Sequence, residues 1–553
     1  MRFRTRRSSA LLAAVGPLLL IAWTAGQALG QQGPATRFQV SFPASASTGP
    51  ITGRVFVMIA ADREQEPRLQ IGRLGVPFFG HDVERLAPGA PGIIDEKDIG
   101  SPIYDVRDLP AGDYYVQGMV NVYSEFRRAD GHVVWMHDDQ WEGQHFNVSP
   151  GNLYSDVKRV HLDPARGFDI ELVASHVIPP IEVAPDDQWV KRIKIQSPML
   201  TEFWGRPIYL GATVLLPKDY DKTDFRYPVL YRQGHFSLGP PLREWEVGSD
   251  FYNQWIKDDF PGFVVVSFQH PTPYFDDSYA VNSVNGGPYG DAIMEELIPE
   301  VERSFRVLRE PWAKLLDGGS TGGWESLALQ VFHPDDFGGT WSYCPDPVTF
   351  TNVEGINIYD DVNAYYKQHK WYRVPTVNSV ETTGTMRMTS KQRNYFELAQ
   401  GTRGRSGQQL DIWSAVYGPI GEDGYFKPMW DKVTGKIDPS VAPYWREHYD
   451  ILEYMKRNWS WLGPKLVDKV RIYIGDMDTY RLNVATAQLE EWMKTTQNPH
   501  YPGFFMYGDG KPHCWMGPVT MDQRLVEMAE HILRRMPEGT STPWWQQGRG
   551  MDR

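Results

Sequence analysis

Three side chains of this sequence could together carry out nucleophilic acyl chemistry: Ser320, Asp478 and His513. A serine hydroxyl is a weak nucleophile at neutral pH. It needs an imidazole to take its proton and a carboxylate to hold that imidazole. Ser320 stands at the apex of Gly318-Gly319-Ser320-Thr321-Gly322-Gly323. Gly318-x-Ser320-x-Gly322 fits a sharp strand-to-helix turn in which glycines leave room for a hydroxyl to be lifted out of a sheet. The pattern is short and gains its meaning from context. An apolar run, Ala313 to Leu316, reads as a buried strand before it, and a helical pattern starts at Trp324 after it. The competing reading is a glycine loop in which Ser320 merely caps the following helix.

On such a turn the acid and the histidine follow the serine in that order. The run Val470 to Ile474 reads as a strand that ends in Gly475-Asp476-Met477-Asp478-Thr479-Tyr480, with a helical pattern from about Leu482. Asp478 lies past the strand end, where a loop can swing it beneath a histidine; Asp476 is the alternative, or a turn residue. The strand Phe504 to Tyr507 then leads into Gly508-Asp509-Gly510-Lys511-Pro512-His513-Cys514-Trp515. His448 falls in a helical stretch and His500 precedes the strand, so His513 is the candidate base. A tetrahedral intermediate needs backbone N–H donors. Thr321, directly after the serine, offers one. The loop after Val229-Leu230-Tyr231 offers the other, at His235 with Gly234 or Phe236 as alternatives, since glycine allows close backbone approach.

These groups need a scaffold that brings strand ends together. From Trp189 onward, apolar runs such as Phe263 to Phe268 alternate with amphipathic stretches such as Asp291 to Phe305. Strands buried on both faces and separated by helices predict a doubly wound, mostly parallel α/β sheet over 186–540. Further strands are expected at Val190 to Ile195, Tyr209 to Leu216 and Thr340 to Cys344. Within this region 346–466 shows no sheet pattern and is rich in Tyr, Trp, Gly and Pro. It is too long for a plain loop and reads as a helical cap, with one helix over Pro443 to Asn458, that shapes a substrate pocket. Residues 31–185 read as all-β, with short strands such as Arg54 to Ile59 and Tyr114 to Tyr123 between Pro/Gly turns, which predicts a sandwich-like domain. Asp138, Asp139, Glu142 and His145 could form a cation patch, but a solvated loop is the simpler expectation. A proline-rich linker follows at Ile178 to Pro185.

Composition narrows the function. The 553 residues carry a formal net charge of −13, with 41% hydrophobic and 23% charged residues. This is an ordinary globular balance, and an acidic chain with no basic stripe outside the N-terminus argues against a polyanion such as nucleic acid as the main partner. The 20 Trp and 28 Tyr suit stacking on sugars or aromatic groups as well as a core. Arg2, Arg4, Arg6 and Arg7, the apolar stretch Ala10 to Ala25 and the small-x-small site Ala28-Leu29-Gly30 predict an export signal over 1–30, hence a periplasmic or secreted protein without a membrane span. Residues 541–553 form a tail. The two cysteines, Cys344 at the end of a strand and Cys514 beside His513, could meet over the sheet edge as a disulfide if their orientations allow. No metal or cofactor is expected.

Taken together, these motifs resemble the esterase D and enterochelin-esterase-like branch of the α/β hydrolases, over roughly Trp189 to Arg535. The resemblance rests on Pro228-Val229-Leu230-Tyr231 entering a Gly-His loop, on Leu297-Ile298-Pro299-Glu300-Val301-Glu302 with Phe305-Arg306, on Gly319-Ser320-Thr321-Gly322-Gly323, and on Gly508 to Trp515. It implies an α/β-hydrolase fold and metal-free hydrolysis of carboxylic esters through an acyl-enzyme. The implied substrates are siderophore esters, acylated sugars, feruloyl or acetyl groups on polysaccharides, and small thioester-like molecules. Arg232-Gln233 departs from the family's apolar-His lead into the oxyanion glycine, and the insertion before Lys469 is long. A serine peptidase of the same fold and a non-catalytic binding protein remain the alternatives.

Overall fold

The computed structural model describes residues 35–545. The expected export signal lies outside them, as does most of the expected tail.

The catalytic candidates share one eight-stranded sheet: β1 (Val190–Gln196), β2 (Tyr209–Leu215), β3 (Val229–Gln233), β4 (Val264–Gln269), β5 (Lys314–Gly319), β6 (Gly339–Tyr343), β7 (Val470–Gly475) and β8 (Phe504–Gly508). Their order is β1-β2-β4-β3-β5-β6-β7-β8. β2 runs antiparallel to both β1 and β4, and every other pair is parallel. Val229, Leu230, Tyr231, Val264, Val265, Leu315 and Leu316 are fully buried. Helices on both faces exclude water, which is why these strands read as unbroken apolar runs. Because β3 and β4 exchange places, the chain returns to lay β5 beside β3. The carboxyl ends of β3 and β5 thus meet near the middle of the sheet, where open α/β sheets form their sites.

Helix α1 (Thr321–Phe332) leaves the end of β5 and packs across β5 and β6. It begins at Thr321, three residues before the apolar periodicity starts, because Gly322 and Gly323 form its first turn. The amphipathic stretch before β5 is a helix only in pieces, Tyr289–Ala292 and Ile298–Ser304, joined by a π-turn over Ile293–Leu297. Pro299 has no N–H, and its ring would clash with the carbonyl four residues back in a regular helix; the wider turn relieves that contact.

The segment between β6 and β7 differs in part from the helical expectation. It holds two small hairpins, Tyr366–Gln368 with Arg373–Pro375 and Val377–Val380 with Met386–Thr389, ahead of helices α2 (Ser390–Gln400) and α3 (Gln409–Tyr417). Strands of three or four residues show too few alternations to register as a period. The helix expected over Pro443 to Asn458 breaks in two, Ala442–His448 and α4 (Ile451–Leu466). Asp450 interrupts it, because its side chain accepts the Glu453 N–H as an N-cap. Two further helices, α5 (Leu482–Met493) and α6 (Met521–Arg535), follow β7 and β8.

Residues 36–177 contain strands and short 3-10 turns. A three-stranded sheet (Phe168–Val173, Thr36–Ser41, Gly92–Ile94) and a larger sheet built on Ile51–Ala60 and Gly112–Arg127 close over one core, in which Phe38 and Val40 face Val55, Val57, Val116 and Val120. The acidic patch in this region is internally satisfied. Asp138 pairs with Arg206, Asp139 accepts the Trp141 and Gln144 N–H groups, and Glu142 accepts from His137. This β-rich part docks on the segment between β6 and β7. Arg54, almost fully buried, pairs with Asp82 at 2.6 Å and donates to the Ala399 carbonyl at the end of α2 at 3.0 Å. Phe78 meets Phe396 edge-on at 5.9 Å.

Candidate active site

The turn between β5 and α1 forces Ser320 into φ 58°, ψ −120°, a conformation that an L-residue holds only when its surroundings over-determine it. Those surroundings are crowded backbone. A Cβ on Gly322 would lie 2.1 Å from the Gln233 carbonyl oxygen, and one on Gly318 would lie 2.3 Å from the Gly322 carbonyl oxygen. The Ser320 N–H donates to the Tyr343 carbonyl at 3.0 Å. Its side chain does not cap α1, which removes the cap reading of the sequence. Gly322→Ala is accordingly expected to push apart β3 and α1. We expect a loss of about 1–3 kcal/mol of stability, read as a lowered urea midpoint, because the clash is with main chain that cannot rotate away.

The hydroxyl points instead at a histidine. His513 Nε2 is 3.0 Å from Ser320 Oγ, and His513 Nδ1 is 2.7 Å from Asp478 Oδ2. Each member comes from the carboxyl end of a different strand: β5, β7 and β8. Asp478 is buried, and its Oδ1 accepts the Tyr480 N–H at 2.9 Å and the Leu482 N–H at 3.3 Å, which fixes the carboxylate beneath the ring. Asp476 takes the other role open to it. Its Oδ1 accepts the Gly510 N–H at 2.8 Å and ties the histidine loop to the end of β7. The ring of Tyr480 stands edge-on to His513 at 4.9 Å.

The two backbone amides expected to receive an oxyanion lie at the start of α1 and just past the end of β3. Thr321 opens α1, so its N–H has no acceptor one turn earlier. His235 follows Gln233 and Gly234 at the end of β3, whose backbone packs directly against Gly322. Among the described residues, neither the Thr321 nor the His235 amide donates to a protein acceptor.

With this geometry in view, comparison with known proteins decides the family. Residues 209–497, more than half of the chain, match the model of the family described as "Putative esterase". The chain belongs to this esterase family. It is a carboxylic ester hydrolase, and its central sheet is that of the α/β hydrolases. No curated protein matches it. Solved structures similar to it include a ferulic acid esterase (15% identity, TM-score 0.37, covering 62% of this chain and 99% of that one). An S-formylglutathione hydrolase from Agrobacterium tumefaciens also matches (14%, 0.34, 62% and 95%), as does a fluorophosphonate-binding serine hydrolase of Staphylococcus aureus (13%, 0.33, 62% and 98%).

Charge around the esterase's histidine is arranged in a definite sense. Burial disfavours the imidazolium of His513, but the hydrogen bond and charge of Asp478, with Cys514 adjacent, outweigh it and raise the pKa above the ordinary histidine value. The side chain of His235 is also held well above that value. Burial opposes its charge, and the carboxylates of Asp276 at 3.1 Å and Asp277 at 3.3 Å override it.

Several residues at the site escaped the sequence reading. Asp346, buried two positions past Cys344, places Oδ1 3.3 Å from Ser320 Oγ, so the hydroxyl has a second acceptor beside His513. Its Oδ2 accepts from Tyr279 at 2.6 Å, Thr321 Oγ1 at 3.1 Å and Gln409 Nε2 at 3.1 Å, which links α3 to the nucleophile turn. Burial raises its pKa. The signal for it was present, since an acid just beyond the carboxyl end of a central strand lies where such sheets bind ligands. Arg73 carried no such signal. It comes from the β-rich N-terminal part and donates to the Tyr480 hydroxyl at 2.5 Å.

The disulfide expectation is corrected. Cys344 and Cys514 are both free thiols, the first buried and the second exposed. Their sulfurs flank Gly319, within 3.9 Å and 3.5 Å of where its Cβ would stand, so the strand ends do bring them together. Both residues hold left-handed backbone, φ 38° and 58°, and proximity at strand ends does not by itself supply the dihedral a disulfide demands.

Proposed function

We propose that this esterase is an exported serine hydrolase that works through an acyl-enzyme, with Ser320 as nucleophile, His513 as general base and acid, and Asp478 as the group that orients and stabilises the imidazolium. The observation that carries the reading is the unbroken relay from Ser320 Oγ to His513 Nε2 (3.0 Å) and from His513 Nδ1 to Asp478 (2.7 Å), on a serine held at positive φ. In the reaction, Ser320 Oγ adds to the ester carbonyl as its proton passes to Nε2. The oxyanion is received by the amides of Thr321 and His235. His513 then gives the proton to the departing alcohol, and water repeats the sequence to release the acid. In this reading the amide pair supplies the electrostatic stabilisation of the developing charge.

The substrate classes we favour are acylated sugars, aromatic-acid esters and siderophore esters. The aromatic-rich composition of 346–466 is the feature that favours an aromatic or carbohydrate-linked group; Trp413 and Tyr417 of this segment pack in the core on Tyr279, which donates to Asp346 beside the nucleophile. We take residues 31–185 as a separate sandwich-like domain and 346–466 as the cap. The arginines and apolar core of residues 1–30 support export.

A fluorophosphonate probe followed by peptide mass mapping tests the mechanism. The expected adduct is on Ser320 and is absent from Ser320→Ala. On a substrate panel, p-nitrophenyl esters should turn over and peptide anilides should not. Anilide hydrolysis would point to a peptidase, and absence of labelling to a binding protein.

A further inference from the structure

Two free thiols that ester hydrolysis does not use stand beside the candidate base His513. We propose that Cys344, Cys514 and His513 constitute a binding site for a soft divalent ion of the zinc class, and that its occupation switches the esterase off. Ligand-competent atoms of the three residues, two sulfurs and an imidazole nitrogen, all lie within 4.8 Å of one another. Ligand atoms sharing one zinc ion are separated by about 3.5–4 Å, given Zn–S and Zn–N bonds of about 2.3 and 2.0 Å. Side-chain adjustments of less than about 1 Å therefore close the set.

Three features favour closure. The donor set is two thiolates and one imidazole, which selects zinc, cadmium or cuprous copper over hard cations. The backbone already aims the sulfurs: Cys344 Sγ accepts the Ser320 N–H at 3.3 Å, and both sulfurs converge over Gly319, which has no side chain to separate them. His513 has its Nδ1 fixed on Asp478 at 2.7 Å, which is the carboxylate–histidine arrangement that orients metal-ligating imidazoles; an ion on Nε2 would take the place of that nitrogen's 3.0 Å contact with Ser320 Oγ. Cys514 is exposed and His513 is partly so, which gives an ion an entry path from solvent.

The balance is simple. One divalent ion replaces two thiol protons, both released to solvent, and the imidazole binds through its lone pair. A water molecule or the Ser320 hydroxyl completes four-coordination. No oxidant is involved. The consequence for activity rests on the proposed role of His513: a lone pair held by the ion cannot accept the Ser320 proton. The binding itself does not depend on that role, so the two can be separated by experiment.

The test uses the full mature chain, freed of metal with EDTA, desalted and kept under a phosphine reductant. Zn²⁺ is titrated against p-nitrophenyl acetate hydrolysis. Cd²⁺ is titrated separately while the thiolate-to-cadmium charge-transfer band in the ultraviolet is followed. The expected result is one ion per chain, loss of hydrolysis in step with binding, and full recovery on adding EDTA. Cys514→Ser, at an exposed position, should raise the Zn²⁺ concentration for half-inhibition by at least about 10-fold and weaken the cadmium band, since one of three protein ligands is lost. Cys344→Ala should do the same. His513→Gln, lacking the base, should still show the band at reduced affinity. No cadmium band in the parent protein, or equal Zn²⁺ sensitivity in the parent and in Cys514→Ser, would overturn the proposal. If the protein hydrolysed no ester at all, the cadmium band would still decide whether the site exists.

Discussion

Replacing Ser320 with alanine, or His513 with alanine, is expected to lower kcat by about 10⁴- to 10⁶-fold, and the double replacement should be no worse than either alone. The reason lies in the contact at 3.0 Å between Ser320 Oγ and His513 Nε2. Without the ring, the hydroxyl has no base of suitable strength. Without the hydroxyl, the ring has nothing to deprotonate. Each group therefore removes the same step, and their effects cannot add. The Thr321 and His235 amides survive both substitutions and should keep a residual rate above that of water. Steady-state and single-turnover kinetics on a p-nitrophenyl ester would check this. A double variant that loses the product of the two single factors would show that serine and histidine act independently, against the relay.

The second large effect concerns Asp478. Asp478→Asn is expected to reduce the plateau rate by about 10⁴-fold while leaving the fold intact, because an amide can face His513 Nδ1 with its N–H and trap the ring in the wrong tautomer. The pH profile supplies the sign. In the parent protein Asp478 raises the His513 pKa against the pull of burial. The imidazole is active only when neutral, so kcat/KM should climb as pH rises through that raised pKa. Removing the carboxylate's charge leaves burial, which favours the neutral ring, so the acid limb of the profile should move to lower pH even as the plateau falls. Asp476→Asn is the control. Asp476 ties the Gly510 N–H at the loop and does not touch the ring, so it should leave the inflection in place.

Much of this architecture was legible because burial writes itself into sequence. Strands β3, β4, β5 and β7 are covered on both faces, and their apolar runs are continuous. The glycines around Ser320 were legible for the opposite reason. At Gly322 a single methyl would strike main chain, so the turn admits no other residue. His513 and Asp478 could be picked by order and by their place past strand ends. Elements too short for a period stayed hidden: the two hairpins between β6 and β7, and the break at Asp450, where one capping carboxylate outweighed a helical pattern on either side.

The sequence by itself determined the sheet, the turn that lifts Ser320 and the order of the groups that serve it, since each depends on local burial or on steric room within a few residues. Tertiary structure alone decided which residues far apart in the chain share that edge. Asp346 lies 3.3 Å from the hydroxyl, Arg73 reaches Tyr480 from the N-terminal part, and Cys344 and Cys514 meet over Gly319 as free thiols. Those contacts depend on how separate elements are docked and on the dihedrals at their ends. No periodicity encodes either, so they could be read only from the folded chain.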